Sequence, residues 1–349
     1  MRIPLLAVVF SLSLASACVS AAHPAPHWQG SQLEREVSLR GSAVGEASLW
    51  VTGTESAVYK SLDGGNSWQD VSVTGQPATD FRDIEVFDDQ TAIVMGVGTG
   101  SESRLYLTED GGTHWQLLYD NPDPTGFFDS IAFWNRNEGM LLGDPVDGYY
   151  VVMVTRDGGR SWTRVERNRL PPLAENEAAF AASGNTLIAG KAGEAWFTTG
   201  GLAASVYATT DFGQSWVRLP VPLHTDTATA GGYALGQNRQ GQVFVMGGDF
   251  QNRPGKYPNL AASGDQGWGS VNAGQRGLRT AMACAERLCV ISGKTGSDVS
   301  FDHGVTWQPM SGEGYYTLSV GSVAVGKEII LAAGHDGRVA TLSVKRSTE

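Results

Sequence analysis

Beyond its first residues, the sequence has no uncharged apolar run of about 20 residues, the length that a membrane-spanning helix needs. Charged residues are also scarce at 17% of the 349 residues, and the net charge is -11. This deficit of positive charge argues against nucleic acids and anionic membrane surfaces as partners, since both are bound through excess Lys and Arg. Cationic and neutral partners remain open.

Cysteine is rare, with three copies in the chain. Cys284 and Cys289 bracket a short turn in an apolar, strand-like segment, and export would favour a hairpin disulfide between them; a buried free pair is the alternative. No third and fourth ligand stand at zinc-binding spacing, so we expect no metal site and no cofactor. A dinucleotide fingerprint is missing, and the Gly293, Lys294, Thr295 run lacks the earlier glycine of a phosphate-binding loop.

The N-terminus resembles an export signal. Residues 1–17 combine a positive charge at Arg2, an apolar run and small residues before Cys18, which is typical of a secretory signal peptide. Residues 14–18 also resemble a bacterial lipobox, whose cysteine is acylated; ordinary cleavage nearby is the alternative. We therefore expect an exported protein that is periplasmic, an outer-membrane lipoprotein or secreted, with membrane contact only through lipid on Cys18 and residues 18–26 as a linker.

What the chain does have is glycine and a short repeat. The 45 glycines, together with many aromatic and β-branched residues, favour short strands and tight turns. The pattern Ser/Thr-x-Asp-x-Gly-x-Ser/Thr-Trp, called the Asp box below, recurs five times with one exception at His114. A sixth, decayed copy occupies residues 263–268. The aspartates of the five intact boxes are Asp63, Asp110, Asp157, Asp211 and Asp302.

Each box has a mechanical meaning. The Asp side chain accepts backbone N–H bonds within a tight turn, the Gly supplies a positive φ, and the Trp packs between neighbouring sheets. The copies begin at residues 61, 108, 155, 209, 263 and 300, so subtraction gives intervals of 37 to 54 residues. Such intervals are typical of the four-stranded blades of a β-propeller, and the boxes therefore predict six blades.

A seventh blade is expected after the last box, where three further strand-like runs follow without a box. Its missing outer strand has a candidate at the other end of the chain, because His27, Trp28 and Gln29 repeat the end of a box. Pairing the two termini would close the ring and remove an open sheet edge. We predict an all-β, seven-bladed β-propeller over residues 27–349, a single domain expected to be a monomer.

Function is expected on one face of this propeller. Asp boxes join the third and fourth strands of a blade and share a face, the box face, with the turns between first and second strands. The loops of the opposite face, the loop face, differ between blades and there combine acids, arginines and aromatics. The ligand-binding candidates are Arg82, Asp129, Asp144, Asp147, Glu177, Asp249 and Arg279.

Each candidate has a structural alternative, either a solvated loop tip or an inter-blade salt bridge. His335 and Asp336 form a weaker candidate, because Asp336 and Gly337 also read as an ordinary turn. No catalytic residue is assigned, since spacing in the sequence does not say whether two carboxylates face each other.

The boxes, the blade count and residues 80–84, 128–134, 143–148 and 177–184 resemble the photosystem II stability/assembly factor family. They are most similar to an exported bacterial branch whose members carry labels such as oxidoreductase or glycosyl hydrolase. The resemblance implies a propeller scaffold that binds a protein. Assembly factors are known for basic surface patches, whereas this chain is acidic.

Sialidases share the Asp box, but they need an arginine triad and an Arg-Ile-Pro motif on the first blade. Here Arg2, Ile3 and Pro4 lie in the signal peptide, so we expect no sialidase. The missing dinucleotide fingerprint argues against an NAD-dependent oxidoreductase. Our first hypothesis is a scaffold that binds a protein or an oligo- or polysaccharide through its loop face. The alternative is a glycoside hydrolase or polysaccharide lyase that uses loop-face carboxylates, with arginines holding an anionic sugar.

Overall fold

The computed structural model describes residues 26–274, 276–324 and 327–345. The predicted signal peptide (residues 1–17), the lipidation candidate Cys18 and the linker up to residue 25 lie outside the described residues. Within the described parts, the regular structure is strands with three short 3-10 turns, Gly100–Glu102, Arg167–Arg169 and Gly184–Thr186. The all-β prediction is confirmed.

Seven sheets follow one another around the ring. Strand β1 (Gln29–Gln32) comes first in the chain but belongs to the last blade. Blade I consists of β2 (Leu39–Val44), β3 (Leu49–Gly53), β4 (Val58–Ser61) and β5 (Gln69–Asp70). Blade II consists of β6 (Asp80–Val86), β7 (Ala92–Val97), β8 (Arg104–Thr108) and β9 (Gln116–Asp120). Blade III consists of β10 (Phe128–Phe133), β11 (Gly139–Val146), β12 (Tyr149–Thr155) and β13 (Thr163–Arg164).

The remaining blades keep the same antiparallel order from the axis outward. Blade IV consists of β15 (Leu187–Ala189), β16 (Ala195–Thr198), β18 (Ser205–Thr209) and β19 (Val217–Pro220), and blade V of β20 (Ala230–Gln237), β21 (Val243–Asp249), β22 (Leu260–Gly264) and β23 (Gly267–Ser270). Blade VI consists of β24 (Ala281–Ala285), β25 (Leu288–Gly293), β26 (Gly296–Ser300) and β27 (Gln308–Ser311). Blade VII consists of β28 (Thr317–Ala324), β29 (Lys327–Ala333), β30 (Arg338–Lys345) and β1. The short strands β14 (Glu177–Ala178) and β17 (Gly200–Gly201) link loops of blade IV to β20.

The ring closes through the N-terminus, as predicted. Strand β1 pairs antiparallel with β30, with Gln29 opposite Thr341 and Gln32 opposite Arg338. Trp28 anchors this junction, because its ring lies 5.2 Å from that of Tyr315. The first described residues therefore form the outer strand of blade VII, and no blade of the ring is left with three strands.

The Asp boxes form the turns between third and fourth strands that the sequence predicts. In blade IV, Asp211 accepts hydrogen bonds from the Ser215 N–H (2.9 Å) and the Thr209 hydroxyl (2.8 Å). Gly213 has φ +76°, in the left-handed region that favours glycine, and its carbonyl accepts the Trp216 indole N–H at 3.0 Å. The polar groups of this box are thus satisfied by its own residues, and the Trp216 ring packs against the neighbouring blade.

The core consists of apolar layers between blades rather than one central cluster. Between blades III and IV, Tyr150 and Phe197 pack edge to face at 5.3 Å, Phe197 and Tyr207 stack at 4.5 Å, and Trp216 of the box closes the cluster. Such aromatic pairs add about 0.5–1.5 kcal/mol each beyond the area that they bury. Inter-blade packing therefore holds the first strands, and the loops that leave them, in fixed positions around the axis.

Cys284 and Cys289 form a disulfide across the first turn of blade VI. The two residues are directly opposed in the β24–β25 ladder, and their Cα atoms are 4.0 Å apart. Both side chains are buried, so the bridge lies inside the blade packing on the box-face side.

Candidate functional site

A short segment of blade IV, residues 179–186, lies across the axial channel. Three side chains from blades I to III donate hydrogen bonds to its carbonyls. Arg40 reaches the Ala182 carbonyl at 3.0 Å, Arg82 reaches the Ala181 carbonyl, and Ser130 reaches the Gly184 carbonyl at 3.1 Å. Residues 179–186, here called the channel segment, are therefore held from one half of the ring.

The other half of the ring holds the same segment. The Thr186 hydroxyl donates to the Tyr233 carbonyl of blade V (3.4 Å), and the Ser183 hydroxyl donates to the Thr280 carbonyl of blade VI (3.3 Å). Asn185 donates to the Leu318 carbonyl of blade VII at 3.3 Å. All six other blades thus bind the channel segment, which divides the channel into two cavities.

The box-face cavity lies on one side of the channel segment and has a volume of about 390 Å³. Its polar wall includes Asp83, Glu85 and Asn185. Burial, followed by repulsion from Asp83, raises the pKa of Glu85 well above its usual value. Burial of the two carboxyls therefore disfavours a concentration of negative charge in this cavity.

The loop-face cavity, with a volume of about 430 Å³, lies on the other side. It has the size of a pocket for a small ligand or a few amino-acid residues. Its walls combine charges with aromatic rings. The charged residues are Arg40, Arg82, Arg253, Lys294, Asp129 and Asp144, and the aromatic residues are Phe127, Phe180, Tyr233, Phe250 and Tyr316.

Most positive charges of the loop-face cavity have no acidic partner. Arg82 forms an ion pair with Asp80 at 2.8 Å, whereas no ion pair involves Arg40, Arg253 or Lys294 within the described residues. Burial, then repulsion from Arg82, lowers the pKa of Arg40, and the charge of Arg253 acts in the same direction. These guanidinium groups are therefore close enough to act together on a bound anion.

The aromatic rings lie beside these cations. The Tyr316 ring lies between two of them, with Arg40 Cζ 4.9 Å and Lys294 Nζ 4.7 Å from its centre. On another wall, Phe180 of the channel segment stacks on Tyr233 at 4.5 Å and meets Phe250 edge to face at 6.4 Å. The cavity thus combines a cationic side with an apolar side.

Two carboxyl groups share this cavity and have raised proton affinity. Burial, then repulsion from Asp144, raises the pKa of Asp129 well above its usual value, while the charge of Arg82 opposes the shift. Burial also raises the pKa of Asp144. Asp129 is 2% exposed, and its Oδ2 atom has no hydrogen-bond partner within the described residues. The cavity therefore contains a carboxyl group that the protein itself leaves unsatisfied.

Of the seven ligand-binding candidates from the sequence, the structure brings Arg82, Asp129 and Asp144 together at the loop-face cavity. Asp147 does not line it: the side chain is 69% exposed on the loop between β11 and β12 and pairs with Arg167. Its position matches the solvated loop tip that the sequence left as an alternative.

Glu177, Asp249 and Arg279 are buried and bonded within the protein. Glu177 accepts hydrogen bonds from the Tyr207 hydroxyl at 3.0 Å and from the Ala174 N–H at 2.7 Å. These contacts occupy the Glu177 carboxylate, and Glu177 is not among the lining residues of the cavity.

Asp249 and Arg279 are likewise bonded to other groups of the protein. Burial alone would raise the pKa of Asp249, but hydrogen bonds from Thr229 and Thr227 and from backbone N–H groups outweigh it and lower the pKa. Arg279 is 0% exposed and pairs with Asp298, and burial lowers its pKa to about 10. Both residues support the loops around the cavity rather than line it.

The weaker candidates, His335 and Asp336, bond to each other in a turn of blade VII. Asp336 has φ +54°, as expected for an Asp-Gly turn, and His335 also contacts Arg338. The turn carries no lining residue of either cavity.

Several lining residues of the loop-face cavity, including three of its cations, were not among the candidates from the sequence. Arg40, Arg253, Lys294 and Tyr316 belong to blades I, V, VI and VII, so no local pattern connects them. One signal was present: Arg40 and Arg82 both lie near the start of the first strand of their blades, where side chains approach the axis. Aligning the first strands of the two blades would have placed the two arginines at equivalent positions, because each stands at the register shift between first and second strands.

No helix within the described residues is long and apolar enough to cross a membrane. The described residues also contain no group of three or more His, Cys, Asp or Glu side chains arranged to hold a metal ion.

A scan against protein families matches residues 96–219 to the model described as photosynthesis system II assembly factor YCF48. No curated protein matches the chain significantly. Two YCF48 structures are similar in fold: one described as YCF48 bound to D1 peptide (TM-score 0.65, 15% identity, 93% of this chain and 99% of that chain), and YCF48 from Cyanidioschyzon merolae (TM-score 0.63, 16% identity, 90% and 98%).

The extracellular domain of the putative one-component system BT4673 from B. thetaiotaomicron is also similar, with TM-score 0.63 and 13% identity over 93% of this chain and 41% of that chain. At these identities the structural matches establish the fold. Together with the family match in blades II to IV, they confirm the resemblance drawn from the Asp boxes: the chain is a seven-bladed propeller similar to the photosystem II assembly factor YCF48.

Proposed function

We propose that this chain is an exported, assembly-factor-like scaffold that binds a segment of a protein partner in the loop-face cavity. The observation that carries the proposal is the cluster of Arg40, Arg253 and Lys294 beside an aromatic wall. Among the described residues these cations have no acidic partner, so their charge is available to a ligand. The net charge of -11 leaves them as a local exception on an acidic protein.

A polypeptide segment suits both sides of this cavity. A negatively charged group would meet the cations, and a neighbouring apolar side chain would cover Phe180 and Phe250. The similar propeller described as bound to D1 peptide supports a peptide as the ligand class. The partner of this chain is inferred only as a polypeptide with an acidic group next to an apolar one.

A peptide panel tests the proposal. The mature protein is immobilised and exposed to two mixtures of histidine-free octapeptides, one with an acidic group beside a Phe or Leu and one with that acid replaced by Gln. We expect retention of the acidic set, which mass spectrometry identifies. Equal retention of both sets, or of neither, by a folded protein would contradict the proposal.

Variants then locate the binding site. Arg253→Ala and Lys294→Ala each remove one unpaired cation and should weaken binding of a retained peptide about tenfold, as expected for one charge-assisted hydrogen bond. Arg160→Ala is the matched control, because Arg160 is an exposed arginine of an Asp box on the opposite face. Unchanged affinity in both cavity variants would move the binding site elsewhere.

Export is a separate part of the proposal, supported by residues 1–17 and by the box-like Trp28 that opens the folded ring soon after them. Expression of the full chain in a bacterial host should give a mature protein without these residues. Intact mass then separates acylated Cys18 from ordinary cleavage, and Cys18→Ser abolishes only the former. Retention of Met1 in the mature product would refute export.

A carbohydrate-active enzyme is the second candidate, favoured by one observation: Asp129 and Asp144 lie in the same cavity with raised pKa values, beside Arg82. A protonated carboxyl can act as general acid, and an arginine can hold a uronic-acid carboxylate. Incubation with oligosaccharides, including uronic-acid polymers, tests for turnover. Turnover that is equal in wild type, Asp129→Asn and Asp144→Asn would remove both residues from an active site.

A further inference from the structure

Asp129 differs from the other buried carboxyl groups near the channel. Asp83, on the neighbouring first strand, accepts hydrogen bonds from the Ile131 N–H (2.8 Å), the Ser130 hydroxyl (2.7 Å) and the Ile84 N–H. Asp129 is as deeply buried, yet its Oδ2 atom has no partner within the described residues. A charged carboxylate without donors is costly to bury, so this environment favours the neutral, protonated group.

Of the charged groups around Asp129, one favours its proton and one opposes it. Asp144 on β11 adds a like charge, and Arg82 on β6 is the opposing positive charge. Tyr150 on β12 is a further titratable neighbour; burial raises its pKa, so it stays neutral. Arg82 is itself already paired with Asp80 at 2.8 Å, which limits its effect on Asp129. Burial and the charge of Asp144 therefore both favour a proton on Asp129.

A protonated carboxyl presents a hydrogen-bond donor, and a donor needs an acceptor. Arg40, Arg253 and Lys294 line the same cavity and attract an anion. A ligand carboxylate satisfies both requirements at once, because its oxygens accept from the cations and from a neutral acid. A singly charged group also suits the cavity better than a doubly charged phosphate would, since Asp144 lies on the same wall.

We propose that Asp129 is a specificity-determining residue of the loop-face cavity, which holds a proton and donates a hydrogen bond to a carboxylate of the bound peptide. This inference rests on the proposed peptide-binding function. Binding then depends on pH in a defined direction: deprotonation of Asp129 would place two negative charges in contact, so affinity falls as the pH rises. In the complex Asp129 keeps its proton, and no covalent bond forms or breaks.

The test measures the affinity of one retained, histidine-free octapeptide from pH 5 to pH 9, a range in which ordinary peptide carboxylates stay charged. For wild type we expect tight binding at the acid end and a loss of up to tenfold per pH unit above the Asp129 transition. Asp129→Asn keeps a neutral donor of the same size. This variant should bind within a few-fold of wild type at pH 5 and keep that affinity at pH 9.

Asp144→Asn is the second variant, and its expected effect differs in kind. Removing the like charge makes Asp129 easier to ionise, so the pH at which affinity begins to fall moves down rather than disappearing. Thermal unfolding of each variant verifies that it is folded. A shift in Asp144→Asn together with loss of the transition in Asp129→Asn assigns the proton to Asp129.

The source of the carboxylate is resolved with matched peptides. Loss of binding on C-terminal amidation identifies the chain terminus, and loss on replacing an internal Glu or Asp by Gln or Asn identifies a side chain. Either result supports a carboxylate as the ligand group. If binding survives both changes, the proposal that Asp129 binds a carboxylate is wrong. Binding of an oligouronate with the same pH dependence, in place of any peptide, would overturn the peptide assignment.

The two proposals fail in different ways. If no peptide binds to the folded protein at any pH, the peptide-binding function is wrong. If peptides bind but affinity is constant from pH 5 to pH 9, or Asp129→Asn retains the wild-type pH profile, the function stands and the role of Asp129 is wrong.

Discussion

The Asp-box turns and the axial channel both rely on aspartates, but the surroundings shift the pKa of these aspartates in opposite directions. Each box surrounds its carboxylate with local donors, and hydrogen bonds from the Ser67 hydroxyl and N–H lower the pKa of Asp63 to about 2. Asp83, Asp129 and Asp144 lie among other blades, where burial raises the pKa. The box face is therefore built from self-sufficient units, whereas the channel side depends on contacts between blades and leaves groups for a ligand.

This contrast predicts that the free energy of unfolding decreases on both sides of a pH optimum. We call the decrease towards low pH the acid limb and the decrease as the pH rises through neutrality the neutral limb. Box aspartates stabilise the fold above their usual pKa and lose that contribution as the pH falls. Channel-side carboxyls stabilise it at low pH and lose that contribution as the pH rises. Substitutions of box aspartates and of channel-side carboxyls should therefore change different limbs. The loss of stability should be larger where the substituted residue is more deeply buried.

The largest effect is expected for a buried ion pair of the loop face. Asp298 accepts from the fully buried Arg279 and from Arg276, so Asp298→Ala leaves one arginine buried without its partner. We expect a loss of about 5 kcal/mol in the free energy of unfolding, the upper end for breaking such a pair. Urea denaturation measures it. The double variant Asp298→Leu with Arg279→Met should lose less, because the buried charge goes too; an equal or larger loss would contradict this account.

The second-largest effect is expected for Asp83, whose contribution to the free energy of unfolding changes on the neutral limb. Burial, against opposing hydrogen bonds from Ile131 and Ser130, raises the pKa of Asp83 from 3.8 to about 7. The folded protein thus binds this proton more tightly than the unfolded chain, and the contribution is complete below about pH 4 and lost as the pH rises through 7. The shift corresponds to roughly 4 kcal/mol.

The measurement for Asp83 is the urea midpoint from pH 4 to pH 8. Asp83→Asn should fall less steeply than wild type over this range, and the remaining slope belongs to the other buried carboxyls. A variant with the full wild-type slope would show that Asp83 is ionised in the folded protein throughout.

The same contrast explains how far the sequence could lead. The boxes could be predicted because Asp and Gly complete the contacts of the turn within eight residues, and the closing strand because Trp28 repeats a box ending. Arg279 was instead predicted as a ligand-binding residue, since its pairing with Asp298 depends on strand register across two loops. The channel segment was not predicted at all, because its hydrogen bonds come from six blades and follow no period in the sequence.

A moderate effect is expected at the disulfide of blade VI. Cys284 and Cys289 close a loop of a few residues, for which loop-closure entropy in the unfolded chain gives about 2 kcal/mol. The double variant Cys284→Ala with Cys289→Ala should lose about this much in urea denaturation. Wild type unfolded with a thiol reductant should match it, and a reductant effect on the double variant would show that another thiol is responsible.

The smallest effect belongs to a single box. Burial alone would raise the pKa of Asp211, but hydrogen bonds from Ser215 and Thr209 outweigh it and lower the pKa. Its stabilising effect is thus present above about pH 4 and is lost as the pH falls through the lowered pKa. Because Asp211 is only partly buried, solvent screening reduces the expected loss in Asp211→Ala to about 1 kcal/mol at pH 7.

The Asp211→Ala loss should vanish near pH 2, on the acid limb rather than the neutral one. Asp265→Ala in the decayed box is the matched control, because Asp265 is exposed in a short turn where Gly264 pairs with Gly267. This control should leave the urea midpoint unchanged at every pH. If Asp211→Ala altered the neutral limb instead, the division of the propeller into a self-contained box face and an interdependent channel side would fail, since a local box would then be coupled to the carboxyls at the axis.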